Sequence, residues 1–426
     1  MQGKHTKLVR TITLFDAVSI GLGAIIGAGI FVILGIATSL AGPGVLLSVV
    51  IGGIIAIFTA LSFSELGSLI PKEGGVYEYV FEVFSPSVGF LTGWVWTFGQ
   101  IVVGATVSIG LATYLSLLIP VPIKIVAAGA CLLFMIINLI SVKQSVVVNN
   151  ILVAFKVLAL LLFVGIGITH IQLSNFSPLL PNGFSGLISG AALIFFAYLG
   201  FGRVAAISEE MEKPEKNIPL SIMLALGISI VIYLIVSFTA VGIMGYSKLS
   251  ASGSPLADAM GIIGNEPVKF IVSLGAIFAI ASVLLTAILG VSRISFSMAR
   301  NKQIPDFITR IHPRFGTPYI SIIITGLLMA VLAYIGDLKW VASVASFSII
   351  STHVLVNGAA IAVNKKKLKF KIPFYPIPPL LGIISCAALA LSLLPEVWII
   401  ELVVLLAGIV FYFAYNSRKH RKKERV

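Results

Sequence analysis

The sequence predicts an all-α polytopic membrane protein with twelve transmembrane helices. Of its 426 residues, 58% are hydrophobic and only 11% are charged, and the mean hydropathy of +1.09 excludes a water-soluble globule. A helix needs about 20 apolar residues to cross a bilayer, and the chain holds twelve runs of about that length or more. The connections are short, so we expect a single domain over residues 1–426.

The apolar runs fall into two groups of six along the chain. The first six cover residues 14–40, 44–69, 88–119, 122–141, 150–170 and 186–207. The second six cover residues 219–244, 268–299, 318–335, 339–363, 376–394 and 396–416. An even number of crossings places both termini on the same side of the membrane.

The basic residues show which side that is. If twelve helices cross the membrane, the two termini and every second connection lie on one side of it, and these segments contain 22 of the 29 Lys and Arg residues. The connections on the opposite side of the membrane contain four, Lys124, Lys248, Lys269 and Lys339. Because cytoplasmic loops retain basic residues, we predict cytoplasmic termini and a location in the cell membrane.

The net charge of +13 could indicate a nucleic-acid partner or a topology signal, and the positions of the basic residues distinguish the two. The excess lies in loops and in the basic tail at 417–426, so it favours a topology signal, with anionic lipid contact as a second role, over a nucleic-acid partner. The two cysteines, Cys131 and Cys386, lie inside apolar runs and give neither a disulfide framework nor the spacing of a metal site. No metal or cofactor is expected.

Glycines interrupt the first apolar run near its middle. Gly21, Gly23, Gly27 and Gly29 lie within nine residues, and each lowers helix propensity by about 1 kcal/mol. One interpretation is close packing against a neighbouring helix. The other is an unwound stretch whose free N–H and C=O groups bind a ligand, which membrane depth permits only beside a cavity.

The sixth run carries a matching irregularity. The segment 195–202, Phe-Phe-Ala-Tyr-Leu-Gly-Phe-Gly, combines aromatic residues with glycines and is followed by Arg203. Two broken helices five positions apart predict two five-helix repeats of opposite orientation with a site between them. The repeats would cover residues 14–170 and 186–363, with two added helices at 374–416.

Three motifs together resemble the amino acid, polyamine and organocation transporters, in particular their amino acid permease branch. Gly23–Phe31, GAIIGAGIF, is similar to the signature of the first helix in that family. Residues 195–202 and 209–219, FFAYLGFG and EEMEKPEKNIP, resemble the sixth helix and the loop after it, and residues 297–305, SMARNKQIP, resemble the end of the eighth helix. The resemblance implies transport of amino acids by alternating access.

The resemblance also implies where a substrate would bind. Its carboxylate would meet backbone N–H groups of the first break, which agrees with the positive end of a helix dipole, and its ammonium would meet carbonyls of the sixth-helix break. The donors would be those of Ile26, Gly27, Ala28 and Gly29. The acceptors would be the carbonyls of Phe195, Phe196, Ala197 and Leu199, with Phe196 or Tyr198 as an aromatic gate.

On the third helix, Trp96, Gly99 and Gln100 match positions that line the pocket in the family. The alternative is that Trp96 anchors the helix, Gln100 forms an interhelical hydrogen bond, and neither faces a substrate. Relatives that carry cationic substrates place an acidic residue just after the sixth-helix break, where this chain has Gly202 and Arg203. The departure favours neutral amino acids.

Lys156 lies in the fifth apolar run with no acidic residue within a helical turn. An ammonium at this depth needs a partner, a water path or deprotonation. It either snorkels to the interface or, as in proton-coupled members that the chain resembles, takes the place of a sodium ion. Its amine would then join carbonyls near Gly21 and Ile25 to Ala281 and Ser282 on the eighth helix, where sodium-binding relatives carry two hydroxyl groups. The proton would be the coupling ion.

Other function classes are less consistent with the sequence. An enzyme would need clustered carboxylates, histidines or a metal array, and a channel would need a continuous polar pore; we find neither pattern. An exchanger of amino acids or polyamines, a basic amino acid permease and a sensor that binds amino acids without transporting them remain open alternatives. The sequence does not determine the oligomeric state.

Overall fold

A computed structural model describes residues 12–72, 74–140, 142–363 and 369–423 of the chain. Within these ranges the regular structure is helical, and an isolated parallel bridge joins Ile12 to Met211. Lys4, Lys7, Arg10, residues 365–367 and the last three residues of the predicted basic tail lie outside the described ranges. The charge count that predicts the topology therefore rests partly on residues that the structure does not describe.

Sixteen α-helices, numbered α1 to α16, follow one another along the described ranges. They are α1 (Leu14–Ile25), α2 (Leu34–Ala41), α3 (Val45–Leu69), α4 (Val76–Val83), α5 (Pro86–Ser116), α6 (Ile123–Ile140), α7 (Val142–Gly167), α8 (Gly183–Phe195), α9 (Gly202–Ala206), α10 (Pro214–Ala251), α11 (Pro255–Ile262), α12 (Glu266–Arg300), α13 (Tyr319–Ile335), α14 (Leu338–Ala362), α15 (Ile377–Leu391) and α16 (Pro395–Lys423).

The chain is a multi-pass membrane protein by the length and composition of these helices. Nine helical segments of the described chain are long and apolar enough to cross a membrane, and two shorter apolar helices are α13 and α15. The first of the nine, Leu14–Leu69, contains the first two predicted runs, which a 3₁₀ turn at Gly42–Gly44 separates. Helices thus occupy all the predicted apolar runs, while the number of membrane crossings stays a prediction.

The helices differ in how much of their surface the rest of the protein covers. In the apolar windows of α5 and α12, 89% and 78% of the residues are buried, whereas the figures for α6 and α16 are 28% and 17%. Large apolar side chains cover the open faces of α6 and α16, as expected for surfaces that contact lipid tails. We therefore place α5 and α12 at the centre of the bundle, where they pack against each other.

Two of the predicted segments are interrupted, as their glycines suggest. After α1 the backbone becomes extended at Ile26 (φ −76°, ψ 105°) and then forms a short π-helix, Gly29–Ile33, that leads into α2. After α8 it forms a 3₁₀ turn, Phe196–Tyr198, and a further turn before α9. We call residues 26–29 the first break and residues 196–201 the second break.

The two breaks contact each other directly. A Cβ atom on Gly29 would lie 2.4 Å from Cα of Ala197, and one on Gly200 would lie 2.2 Å from the carbonyl carbon of Ala24. Both clashes are with atoms that no side-chain rotation can move. Glycine at these two positions is therefore required for the close approach of the two backbones.

Candidate functional site

The first break leaves backbone donors without protein partners. Within the described residues, nothing accepts a hydrogen bond from the N–H groups of Gly27, Ala28 and Gly29. Ile26 is different, because its N–H donates to the carbonyl of Leu22 at 2.9 Å as the last bond of α1. Three of the four predicted N–H donors are thus available for an anionic group. The N–H of Ile26 is not available, because the hydrogen bonds of α1 continue to this residue.

The second break offers fewer free acceptors than the sequence suggests. The carbonyl of Ala197 accepts from the Tyr233 hydroxyl at 3.0 Å, and that of Phe196 accepts from the N–H of Leu199 at 3.3 Å. Phe195 ends α8 and leads into the 3₁₀ turn. Within the described residues, the carbonyl of Phe196 is thus paired by the 3₁₀ turn and that of Ala197 by a side chain of α10, whereas no hydrogen bond ends on the carbonyl of Leu199.

The two aromatic candidates of the second break have different surroundings. The Tyr198 hydroxyl donates to the carbonyl of Val49 at 3.1 Å, and its ring lies 5.2 Å from that of Tyr233. Tyr198 is therefore fixed against α3 and is not free to close over a ligand. The ring of Phe196 is 6% exposed and, unlike that of Tyr198, carries no hydroxyl that could tie it to a neighbouring helix, so Phe196 stays the candidate gate.

Tyr233 on α10 is a residue that the sequence analysis missed. Its hydroxyl lies 2.8 Å from the carbonyl oxygen of Ile25 and 3.0 Å from that of Ala197. One side chain thus joins the end of α1 to the second break. Its position inside an apolar run could have indicated this role, because the hydroxyl of a buried tyrosine needs a hydrogen-bond partner.

Of the three predicted residues on α5, Gly99 points away from the breaks. A Cβ there would lie 2.8 Å from Cβ of Ser348 and 2.9 Å from Ile349 on α14, so this glycine makes room for a helix and not for a substrate. Trp96 is buried, and its ring lies against Gly290 of α12. Gln100 is buried as well and turns towards α9.

Gln100 accepts hydrogen bonds from Arg203, the second residue that the sequence analysis left without a role. The guanidinium donates through Nε and Nη2 to Oε1 of Gln100, at 3.2 and 2.9 Å. Its Nη1 donates to Thr286 Oγ1 at 2.9 Å and to the carbonyl of Val283 at 3.3 Å. Arg203 is 3% exposed, so these contacts lie in the interior of the bundle.

Lys156 has the surroundings of a cation site. The side chain is completely buried, which excludes snorkelling to the interface. Its Nζ donates to the carbonyl of Gly23 at 3.0 Å, to that of Ile26 at 2.6 Å and to the hydroxyl of Ser282 at 3.0 Å. The ammonium therefore joins α7 to the end of α1 and to α12, with all three of its donors used.

The two carbonyls belong to residues near Gly21 and Ile25, as expected, but not to Gly21 and Ile25 themselves. Gly21 faces α10, where its Cβ would lie 2.6 Å from Ala225, and the carbonyl of Ile25 binds Tyr233. The reason is helical phase, because carbonyls two residues apart point to different sides of α1. On α12, Ser282 provides its hydroxyl as expected, and Ala281 beside it supplies no polar side chain.

One end of the bundle, on the predicted cytoplasmic side, is closed by ion pairs. Arg293 of α12 pairs with Glu210 at 3.0 Å, and Arg300 pairs with Glu209 at 3.4 Å. The first pair is nearly buried, with side chains 7% and 15% exposed. The acidic segment after α9, Ser208–Glu210, is thus held against α12 by two ion pairs.

A buried carboxyl on α4 extends this closed end. Glu78 accepts from the Ser297 hydroxyl and from Asn301 Nδ2 at 2.8 Å. Burial raises the pKa of Glu78, although the hydrogen bond from Ser297 and the nearby positive charge of Lys72 act in the opposite direction. The short helix α4 therefore links the loop after α3 to the end of α12.

Comparison with known proteins places this architecture among transporters. The family model for amino acid permeases matches residues 16–419. The methylthioribose transporter of Bacillus subtilis (strain 168) is 32% identical over 98% of this chain and 96% of its own length. The branched-chain amino acid permease BcaP of the same organism is 32% identical over 97% and 94%, and the chloroplastic cationic amino acid transporter 9 of Arabidopsis thaliana is 32% identical over 72% and 58%.

Proposed function

Because the chain belongs to the amino acid permease family, we propose that it is a secondary active transporter that takes up neutral amino acids together with protons by alternating access. The observation that carries the proposal is the position of Lys156. Its ammonium bonds the carbonyl of Ile26, the residue just before the three free N–H groups of the first break. A change in the charge of this amine acts directly on the backbone that would hold a substrate.

In this proposal, Gly27, Ala28 and Gly29 bind the substrate carboxylate, and the second break binds its ammonium through the carbonyl of Leu199. Phe196 closes over the ligand. The free donors at a helix break support the first assignment, because backbone N–H groups at membrane depth need an acceptor. No protein group supplies that acceptor within the described residues.

The coupling follows from the three partners of Lys156. While protonated, the amine holds α1 and α12 together through Gly23, Ile26 and Ser282. Once it loses its proton inside the cell, it donates fewer hydrogen bonds, and the contact between α7 and α1 weakens. The first break is then free to release the substrate.

The preference for neutral substrates rests on charge. Arg203 and Lys156 are both buried at the centre of the bundle, and a cationic side chain would add a third positive charge in a medium of low dielectric constant. The similarity to a permease named for branched-chain amino acids is consistent with this preference. A relative named for methylthioribose makes that compound part of any substrate test.

For the arrangement in the cell, we propose twelve membrane crossings in the plasma membrane, with both termini in the cytoplasm. Residues 14–170 and 186–363 would form two inverted five-helix repeats, residues 374–416 two further helices, and residues 417–426 a basic cytoplasmic end. Of this last segment, the residues up to Lys423 continue α16, since lysine and arginine favour helix. The transported proton is the coupling ion, and no cofactor is assigned.

The test is uptake by the purified full chain in proteoliposomes. A panel of radiolabelled amino acids and methylthioribose is offered under an inward proton gradient, an inward sodium gradient or no gradient, and counterflow is measured in parallel. We expect accumulation of neutral amino acids under the proton gradient alone. Counterflow without gradient-driven accumulation would indicate an exchanger, and binding without either would indicate a sensor; each result would contradict the proposal.

A further inference from the structure

The polar groups around Arg203 include more hydrogen-bond donors than acceptors. We define the Arg203 cluster as Arg203, Gln100, Thr286 and the carbonyl of Val283. Four of the five guanidinium N–H groups have acceptors in the cluster, which leaves one on Nη2. Gln100 is 1% exposed, and its Nε2, with two more donors, is buried and has no hydrogen-bond partner among the described residues.

The orientation of the Gln100 amide is fixed by its neighbour. Both bonds from Arg203 end on Oε1, and exchanging the amide oxygen and nitrogen would set two N–H donors against the guanidinium. The unpaired amide therefore stays a donor. Buried donors without acceptors are unfavourable, so three of them in one place indicate that an acceptor group is part of the site.

The charge of the cluster indicates the same kind of group. No carboxylate of the described residues lies within ion-pair distance of Arg203. The second buried cation is close, because Lys156 bonds Ser282 and Arg203 bonds the carbonyl of the next residue, Val283. Two adjacent buried cations without an anion are unfavourable, and an anion next to them would relieve both.

The cluster also lies beside the candidate substrate site. Arg203 follows the second break on α9, and the side chain of Val283 fills the space next to Gly27, whose Cβ would lie 2.4 Å from it. Trp96, one turn before Gln100, and the aliphatic stem of Arg203 both border Gly290. An anion at the cluster would thus be next to both breaks.

We propose that the Arg203 cluster is a binding site for a small anion, which the guanidinium and the Gln100 amide bind together. The ligand chemistry is that of a carboxylate or a halide, so the anion is either a side-chain carboxylate of the substrate or chloride from solution. The proposal rests on the function assigned above, because it uses the same central site. If the anion is a side-chain carboxylate of the substrate, the proposal adds acidic amino acids to the neutral ones proposed there.

The experiment measures the thermal unfolding midpoint of the full chain in detergent. One arm compares sodium chloride with the sodium salt of HEPES, a bulky sulfonate without a carboxylate, at equal ionic strength, and the other compares L-glutamate with L-glutamine. We expect the midpoint to rise by about 2 °C or more in chloride or in glutamate. A rise in chloride identifies the inorganic source, and a rise in glutamate beyond that in glutamine identifies the side chain of a substrate.

Two variants test whether the effect belongs to the cluster. Gln100→Glu places a carboxylate of nearly the same shape on the guanidinium, so this variant should lose the response to added anion while its midpoint without anion is at least that of the wild type. Arg203→Gln removes the charge and should lose the response as well. Gln172→Glu, the same exchange at an exposed position, is the matched control and should respond like the wild type.

Two results would overturn the proposal. One is a wild-type midpoint that is equal in chloride and in the HEPES sulfonate and equal in glutamate and glutamine. The other is a response to anion that survives in both Gln100→Glu and Arg203→Gln. Because unfolding requires no transport, either result can be told apart from a failure of the uptake experiment, which tests the proposed function itself.

Discussion

Replacing Lys156 by methionine separates proton coupling from folding. Methionine keeps the length and the unbranched shape of the side chain, so that little space is left empty in the core. It removes the ammonium and its three hydrogen bonds. If the amine carries the coupling proton, Lys156→Met should lose gradient-driven accumulation while the chain still folds.

The structure gives the size of the effect on stability. The carbonyl of Gly23 keeps a partner in the variant, because the Ser282 hydroxyl donates to it at 3.0 Å. The carbonyl of Ile26 loses its bond from the amine, which costs about 1–3 kcal/mol. Removing a buried ammonium returns several kcal/mol of desolvation. The two effects have opposite signs, so we expect a net change of about 2 kcal/mol or less.

The assay is accumulation of substrate in proteoliposomes with an inward gradient of about two pH units. Each pH unit supplies about 1.4 kcal/mol per proton, which is a factor of about ten. Two units therefore limit accumulation to about 100-fold when one proton is transported with each substrate molecule. We expect wild-type accumulation to approach this limit and Lys156→Met to equilibrate without accumulation. Lys248→Met, at an exposed lysine, is the matched control.

The reasoning would be refuted by one clear result. If Lys156→Met accumulates substrate under the pH gradient as the wild type does, the amine is not the coupling group, and its three bonds only support the fold. Counterflow by the same variant shows that binding and exchange persist. The unfolding midpoint shows that the variant is folded.

Three further predictions follow from the breaks and from the closed end of the bundle. Gly29→Ala should abolish uptake, because the added Cβ meets the backbone of the second break at 2.4 Å, whereas Gly227→Ala has open space and should leave uptake unchanged and favour its helix by about 1 kcal/mol. Glu78→Gln should flatten the pH dependence of the unfolding midpoint. Since burial raises the pKa of Glu78 in the folded chain, its contribution is present below the unfolded pKa of about 4.3 and is lost as the pH rises through the folded value. Glu210→Gln should cost about 3 kcal/mol of unfolding free energy by breaking a nearly buried ion pair, and the losses from Glu210→Gln and Arg293→Gln should not add in the double variant.

Each of these predictions has an outcome that contradicts it. Uptake by Gly29→Ala equal to that of Gly227→Ala would mean that the breaks can move apart at no cost. A Glu78→Gln variant whose midpoint follows pH as the wild type does would show that another group titrates. Equal losses from Glu210→Gln and Arg293→Gln that simply add in the double variant would show that the two residues are not coupled.

The extent of the helices and the place of both breaks could be predicted from the sequence, because they depend on local properties. Apolar runs of sufficient length form helices in a bilayer, and glycines weaken a helix where they cluster. The segments around Gly27 and Gly200 are interrupted as expected. The choice of Lys156 as a buried cation was also local, since an isolated lysine in an apolar run needs a specific environment.

The partners of those residues could not be predicted in the same way. The sequence by itself determined that the chain is helical, membrane-spanning and interrupted twice, since these properties follow from composition along a single helix. The tertiary structure decided that Lys156 bonds Gly23 and Ile26, that Gly99 faces α14, and that Arg203 lies against α5 and α12. These contacts depend on the rotation of each helix against its neighbours, and that rotation is set by how all the helices pack together.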